Sequence, residues 1–392
     1  MIDPGTAPIE DGVYLGLDFE TYIAQDALGS TDFSRLYGRR EGWWWQSRHN
    51  IHRKARARSD ALNFGSALHT LLLEGKDAYS ERYAVAPNPN DFPGLLVTAP
   101  EIYSALTAAG VKDAKPKMRK GDLVNMAKAY LDVPIWDAIM EKFERQARGK
   151  DILQAAEHFA VKTMYEAALS DETIRPVVEA SSLQRLTEVS VFWTTPEGVR
   201  IRYRFDTLLP SWNADLKSIG NMRDRAMSYA VGDQIASGHL DVQLAMSFEA
   251  RRQAYQFIQA GQLYGGSPET RAYLEQFPAR APLDLNGVPG WNWLWIFYGK
   301  PEDDGAAPVI FPLRVFWGDG RHLEGWRKFR TAYLFYLEKV AAVGLDAPWS
   351  RVEPVHDTND GAARRVMFPP WEKLPEPQLG ELEAMQWQAS ET

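Results

Sequence analysis

Alternation of apolar and polar positions is clearest between residues 188 and 217. Residues 188–194 and 199–208 read as two β-runs that meet at Pro196-Glu197-Gly198, a turn by composition. A third short strand, 213–218, follows Pro210-Ser211. Side chains alternate faces along a strand. Val199, Ile201, Tyr203 and Phe205 therefore share one face, and Arg200, Arg202, Arg204 and Asp206 share the other. On the third strand Asp215 and Lys217 project together. Residues 291–298 form an apolar, Trp-rich run expected to be a buried strand, and 309–317 an alternating partner. Helical periodicity marks 62–75, 239–261 and 321–343. The pattern predicts an α/β fold in which 188–194, 199–208, 213–218 and 293–299 build a mixed sheet, with helices 62–75 and 239–261 packed on it.

The rest of the chain divides around that core. Residues 1–30 read as an arm with little core of its own, and a helix starts at Thr31. Three prolines in 87–95 mark a boundary, after which an insert at about 88–150 holds helices at 100–110, 121–131 and 135–147. Residues 151–170 continue as helix. Residues 220–238, with Arg223, Arg225 and Tyr229, read as a flexible or substrate-facing crossover. A large domain is expected over 31–345, and an acidic, Pro-rich, flexible tail over 346–392.

Composition narrows the chemistry. The 392 residues are 45% hydrophobic and 24% charged, an ordinary globular balance. No stretch of 18 apolar residues and no signal peptide is present, so a cytoplasmic protein is expected. Cysteine is absent, which excludes disulfides, thiolate zinc sites and a Cys-ligated iron–sulfur cluster. The formal net charge is −8, so any grip on a polyanion must come from a local basic surface.

The two carboxylates at neighbouring strand ends, Asp206 and Asp215, suit a metal-dependent phosphodiesterase. Mg²⁺ is a hard cation that takes oxygen ligands. The carbonyl of Leu216 offers a further oxygen, and Glu188 lies one strand earlier. Lys217 beside the metal is placed to orient the attacking water or to steady charge at the reacting phosphate.

Asp206 with Asp215-Leu216-Lys217 resembles the PD-(D/E)xK nuclease signature. The segment from Gly65 through His69 to Glu74 resembles the histidine-bearing helix of the RecE-like (exonuclease VIII-type) exodeoxyribonucleases of phages and prophages. The resemblance takes in Glu188 and Gln243 and covers about 30–345, with the 88–150 insert poorly matched. Gln243 fits the branch, but Ser247 stands where a Tyr is common. A lone His on an apolar helix is usually a core residue; the resemblance implies instead that His69 is a metal ligand. It gives Glu74 no role, and that residue is expected to cap the helix or face solvent.

The resemblance implies a PD-(D/E)xK core and catalytic residues His69, Glu188, Asp206, Asp215, Lys217 and Gln243. It implies Mg²⁺, with Mn²⁺ as substitute, held by His69, Glu188, Asp206, Asp215 and Leu216. The implied activity is 5′→3′ digestion of one strand of linear double-stranded DNA, leaving a 3′ overhang for recombination by strand annealing. A ring-shaped homo-oligomer and a RecT-like annealing protein are the implied partners. Two alternatives stay open: a structure-specific endonuclease, and a DNA-end-binding module with weakened catalysis.

Arg200, Arg202 and Arg204 near the site, with Arg223, are candidates for contact with DNA phosphates. So is the basic stretch that holds Arg35, Arg39, Arg40, Arg48, Arg53, Lys54, Arg56 and Arg58. The alternative is a solvated helix face. Trp43, Trp44 and Trp45 in the same stretch read as core anchors, with base stacking the alternative. The insert's loop, with Lys112, Lys115, Lys117, Arg119 and Lys120, reads as solvated, with nucleic-acid contact the alternative.

Overall fold

The structure is a computed structural model that describes residues 8–53, 60–180, 186–219, 226–275, 291–299 and 309–350. In chain order the elements begin β1 (Gly12–Leu15), α1 (Phe19–Ala24), α2 (Ser30–Arg39), α3 (Gly42–Gln46) and α4 (Asp60–His69), which continues as a π-helix, Thr70–Glu74. Next come α5 (Lys76–Arg82), β2 (Tyr83–Val85), α6 (Ala99–Ala108), α7 (Lys120–Tyr130), α8 (Trp136–Gln146), β3 (Asp151–Leu153), α9 (Ala155–Ser170) and α10 (Arg175–Val178). The central strands follow: β4 (Leu186–Thr194), β5 (Arg200–Leu208) and β6 (Trp212–Ile219). The chain goes on through α11 (Met227–Gly238), α12 (Leu240–Gln259), β7 (Leu263–Gly265) and α13 (Pro268–Glu275). It closes with β8 (Asn292–Gly299), β9 (Val309–Phe316) and α14 (Gly320–Val343).

Seven strands make one mixed sheet in the order β7-β1-β4-β5-β6-β8-β9. β7–β1 and β6–β8 pair parallel, and the other neighbours pair antiparallel. Helices cover both faces. β8 shows the reason: Trp293, Trp295 and Phe297 enter a large core with α2, α3, α11, α12 and α14, while Leu294, Ile296 and Tyr298 enter a second core with α4, α9 and α10. A strand buried on both sides is written as a continuous apolar run. β5 alternates instead. Ile201, Tyr203 and Phe205 lie in the large core, and the arginines between them face the other way. The insert helices α6, α7 and α8 build a third core around Ile102, Leu106, Leu123, Val124, Ala127 and Ile135. Among the described residues no helix is long and apolar enough to cross a membrane.

Three expectations are corrected. Residues 1–30 are not an arm outside the core, because 12–15 form β1 inside the sheet and Val13 is fully buried. Leu28 also bridges to Ile201, so the α1–α2 connection lies against β5. The 220–238 crossover holds a helix, α11, from Met227 onward, and its earlier residues lie outside the described ones. Trp349 is fully buried and its carbonyl accepts from Trp45 Nε1 at 2.8 Å, so the start of the expected 346–392 tail is packed. Residues 351–392 lie outside the described residues.

Candidate metal and phosphodiester site

The β5–β6 hairpin opens where the acidic residues sit. Its paired positions are Leu208↔Asn213 and Thr207↔Ala214, and Asp206 and Asp215 are the next pair, where the two strands part. On the other side of β5, Glu188 occupies the register position facing Asp206, between Thr187↔Thr207 and Val189↔Phe205. Three carboxylates thus follow one another across β4, β5 and β6. Glu188 has φ 58°, a left-handed conformation that a non-Gly residue adopts at a cost of about 1–3 kcal/mol. Such strain in mid-strand, at an acid, marks a position held by its surroundings for a purpose other than pairing.

Arg251 fixes the hairpin's closed end. It is buried on α12 and donates to the carbonyls of Leu209 (2.7 Å), Pro210 (2.8 Å) and Trp212 (2.8 Å), and to the side chain of Asn213. Its guanidinium also stacks over Trp291. Burial among neutral acceptors lowers its proton affinity, to a pKa of about 9.

The last residue of α4 brings the imidazole. His69 Nε2 is 3.6 Å from Asp206 Oδ2 and 3.9 Å from Glu188 Oε1, and its Nδ1 is 3.8 Å from Glu74 Oε1. α4 can approach β8 because residue 65 is glycine: a Cβ there would stand 2.7 Å from the Tyr298 hydroxyl. The π-turn then sets Glu74. Gly75 N donates to Thr70 O at 2.9 Å, an i→i+5 bond that widens one turn and carries Glu74 toward the imidazole. Arg82 clamps Glu74 with bonds of 3.0 and 2.9 Å. The expectation that Glu74 caps the helix or faces solvent is therefore corrected; it braces His69.

Asp215 is 2% exposed. Gln243 Nε2 donates to its Oδ1 at 2.7 Å, and Lys217 Nζ donates to the same oxygen at 3.0 Å. Its Oδ2 accepts no well-directed hydrogen bond, although the Lys217 ammonium is 2.9 Å away. Tyr203, on the core face of β5, is buried, and its hydroxyl is held far above its ordinary pKa by that burial and by the charges of Asp215 and Asp206. Asp206 feels the charges of both His69 and Lys217, which links the His69 side of the site to the Lys217 side.

The charges of the group are interlocked. Burial opposes the imidazolium, but the neighbouring carboxylates of Asp206, Glu74 and Glu188 raise His69 to about 10. The His69 hydrogen bond, against the cost of burial, and the Arg82 clamp lower Glu74 to about 2. Within the coupled acidic pair, burial and the Asp206 charge push Asp215 up, whereas His69 and Lys217 hold Asp206 down despite its burial.

The donor set fits a divalent cation. One ligand atom each from His69, Glu188 and Asp206 lie within 4.8 Å of one another. Two carboxylate oxygens and an imidazole nitrogen, with the poorly satisfied Asp215 Oδ2 alongside, are ligands that Mg²⁺ or Mn²⁺ accepts.

The predicted DNA contacts divide. Arg200 donates to the Ile9 carbonyl and lies 3.5 Å from Asp11. Arg202 donates to the carbonyls of Tyr22, Ile23 and Gln25 at 2.8, 2.9 and 3.1 Å. Arg204 pairs with Glu188 and donates to the Leu17 carbonyl at 2.8 Å. Arg48 donates to the carbonyls of Ile23 (2.8 Å) and Ala24 (3.1 Å). The three β5 guanidiniums hold the N-terminal segment onto the sheet, and Arg48 ties it to the stretch after α3, so none of the four stands free near the site. Arg53 is exposed and lines an open cleft with Arg35 and Arg39. Lys54 and Arg223 lie outside the described residues. Of the tryptophans, Trp43 and Trp44 are core, while Trp45 is 51% exposed.

No family model matches the chain. No curated protein matches it. Among solved structures the chain is similar to the crystal structure of a candidate exonuclease from Eubacterium rectale. Identity is 13%, the match covers 94% of this chain and 98% of that one, and the TM-score is 0.41. At that level of likeness the chemistry of the site, and not the neighbour, decides the reading.

Proposed function

We propose that this chain is a metal-dependent nuclease of the PD-(D/E)xK kind. The observation that carries the reading is the row Glu188–Asp206–Asp215 at the parting of β5 and β6, with His69 on one side and Lys217 on the other. His69, Glu188, Asp206 and Asp215, with the Leu216 carbonyl, would hold Mg²⁺ or Mn²⁺. A cation held there supplies Lewis-acid stabilisation of the developing phosphoryl charge. Lys217, tethered by Asp215, neutralises charge at the reacting phosphate. Gln243 fixes the Asp215 carboxyl, and Glu74 faces the His69 ring.

In the finer reading the substrate is linear double-stranded DNA, one strand of which is digested 5′→3′ to leave a 3′ overhang. The RecE-like resemblance of the His69 helix supports this choice. A ring-shaped homo-oligomer and a RecT-like annealing partner belong to the same reading. The test is digestion of linear duplexes labelled at the 5′ or the 3′ end, in Mg²⁺, in Ca²⁺ and in EDTA. Progressive loss of the 5′ label in Mg²⁺ alone supports the reading. Cutting in excess EDTA refutes the metal, and cutting of circular duplex favours an endonuclease.

A further inference from the structure

A cleft of about 1090 Å³ lies between α2–α3 and the α11–α12 junction. Arg35, Arg39, Arg53, Trp45 and His239 line it, and among the described residues no Asp or Glu does. In a chain of net charge −8 that is a local reversal of sign. Arg35 and Arg39 stand four residues apart and so share one face of α2. Among the described residues, neither they nor Arg53 make an ion pair or a side-chain hydrogen bond, in contrast to Arg48, Arg200, Arg202 and Arg204. Trp45 donates its Nε1 to the Trp349 carbonyl at 2.8 Å, which fixes the ring while half its surface stays in solvent.

The far wall is built with the same economy. His239 joins α11 to α12 with φ 50° and packs against Tyr37, ring centroids 4.9 Å apart. Gly38 permits this, since a Cβ there would stand 2.6 Å from His239 Nε2. Gln243 follows His239 by four residues, about 6 Å along α12, and it bonds Asp215. The helix that starts at the cleft wall thus also carries the residue that holds Asp215.

We propose that this cleft seats a single strand of nucleic acid, Arg35, Arg39 and Arg53 gripping successive phosphates and the Trp45 ring stacking on a base. Unpaired guanidiniums recognise phosphate. An exposed aromatic beside them selects a strand whose bases are free over a duplex whose bases are stacked inside. The proposal rests on the nuclease reading for what becomes of the strand, but strand binding itself needs no turnover.

The experiment is fluorescence anisotropy of a labelled oligothymidylate with the full chain in EDTA, over a series of salt concentrations. Arg39→Gln with Arg53→Gln is expected to weaken binding at least tenfold and to flatten the salt slope by about 0.7 for each arginine removed. Trp45→Leu is expected to weaken binding about fivefold or more with the slope unchanged, because stacking releases no counterions. Trp45→Phe, which loses the Trp349 hydrogen bond but keeps an aromatic face, is expected to retain affinity, so a general loosening of the fold is told apart from lost stacking. Affinity and slope unchanged in the arginine pair overturn the proposal. So does competition by polyglutamate as strong as that by oligothymidylate. A protein that cuts DNA but binds strands equally well without these residues loses the cleft and keeps the nuclease reading. One that binds strands through the cleft and cuts nothing does the reverse.

Discussion

Asp206 and Asp215 are the first pair beyond the last closed position of the β5–β6 hairpin, and the Asp206 charge acts on the Asp215 carboxyl across the gap. Had the two strands stayed paired, backbone hydrogen bonds would fill the space between them. Their parting leaves room for two carboxyls, and His69 comes up to Asp206 from α4. The arrangement is costly without a cation, because like charges at short range cannot both ionise freely.

Glu74 is predicted to act through His69. Glu74→Gln keeps the shape of the side chain and part of its bonding to Arg82, but removes the charge that faces Nδ1. Losing such a carboxylate behind a ligating imidazole weakens metal affinity by about 10- to 100-fold. Mn²⁺ titration calorimetry should show that loss with the thermal midpoint nearly unchanged. A fall in stability with unchanged metal affinity would make Glu74 a structural residue only.

Metal uptake is predicted to release protons. His69 holds its proton up to about pH 10, against an ordinary value of 6.5, and Asp215 is likewise raised. A cation must displace whatever proton these groups carry. The sign follows: near neutral pH the metal-free site is partly protonated, so affinity rises with pH and levels off once His69 has titrated. Calorimetry at pH 7 in two buffers of different ionisation enthalpy measures the release directly. Heats that do not depend on the buffer would contradict the interlocked charges.

Arg251 is predicted to set the geometry of the fork from its closed end. Arg251→Met keeps much of the apolar stem but removes the guanidinium from three backbone carbonyls, of which that of Trp212 keeps the Leu209 N–H. The expected loss is about 3 kcal/mol, the scale for hydrogen bonds from a buried charged group. Urea unfolding with an unchanged m-value should report it as a lower midpoint. A midpoint within about 0.5 kcal/mol of wild type would show that the turn holds without Arg251.

The sheet's centre was legible because alternation and apolar runs are direct consequences of burial. Residues 199–208 alternate and become β5, and the Trp-rich run becomes β8, buried on both faces. The order of His69, Glu188, Asp206, Asp215, Lys217 and Gln243 along the chain was enough to nominate them, and the fold brings all six together. β1 and β7 were missed because four and three residues are too short to show a period. Glu74 was missed because an α-helix would turn Leu73 toward the histidine's face, and nothing in the pattern announces a π-turn. The β5 arginines were read as free because a strand pattern shows which face a side chain takes, not what covers that face. The carbonyls of residues 17–25 cover it.

The central claim is that the fork cleaves phosphodiesters, and Lys217 tests it most directly. Lys217→Ala leaves His69, Glu188 and Asp206 untouched, so metal and DNA should still bind. The measurement is the rate of Mg²⁺-dependent cleavage of an end-labelled linear duplex by Lys217→Ala beside wild type, at saturating metal. The predicted result is cleavage by wild type and a fall of at least about 100-fold in the variant, the scale for losing one preorganised electrostatic group. A variant that cuts at close to the wild-type rate would contradict the account.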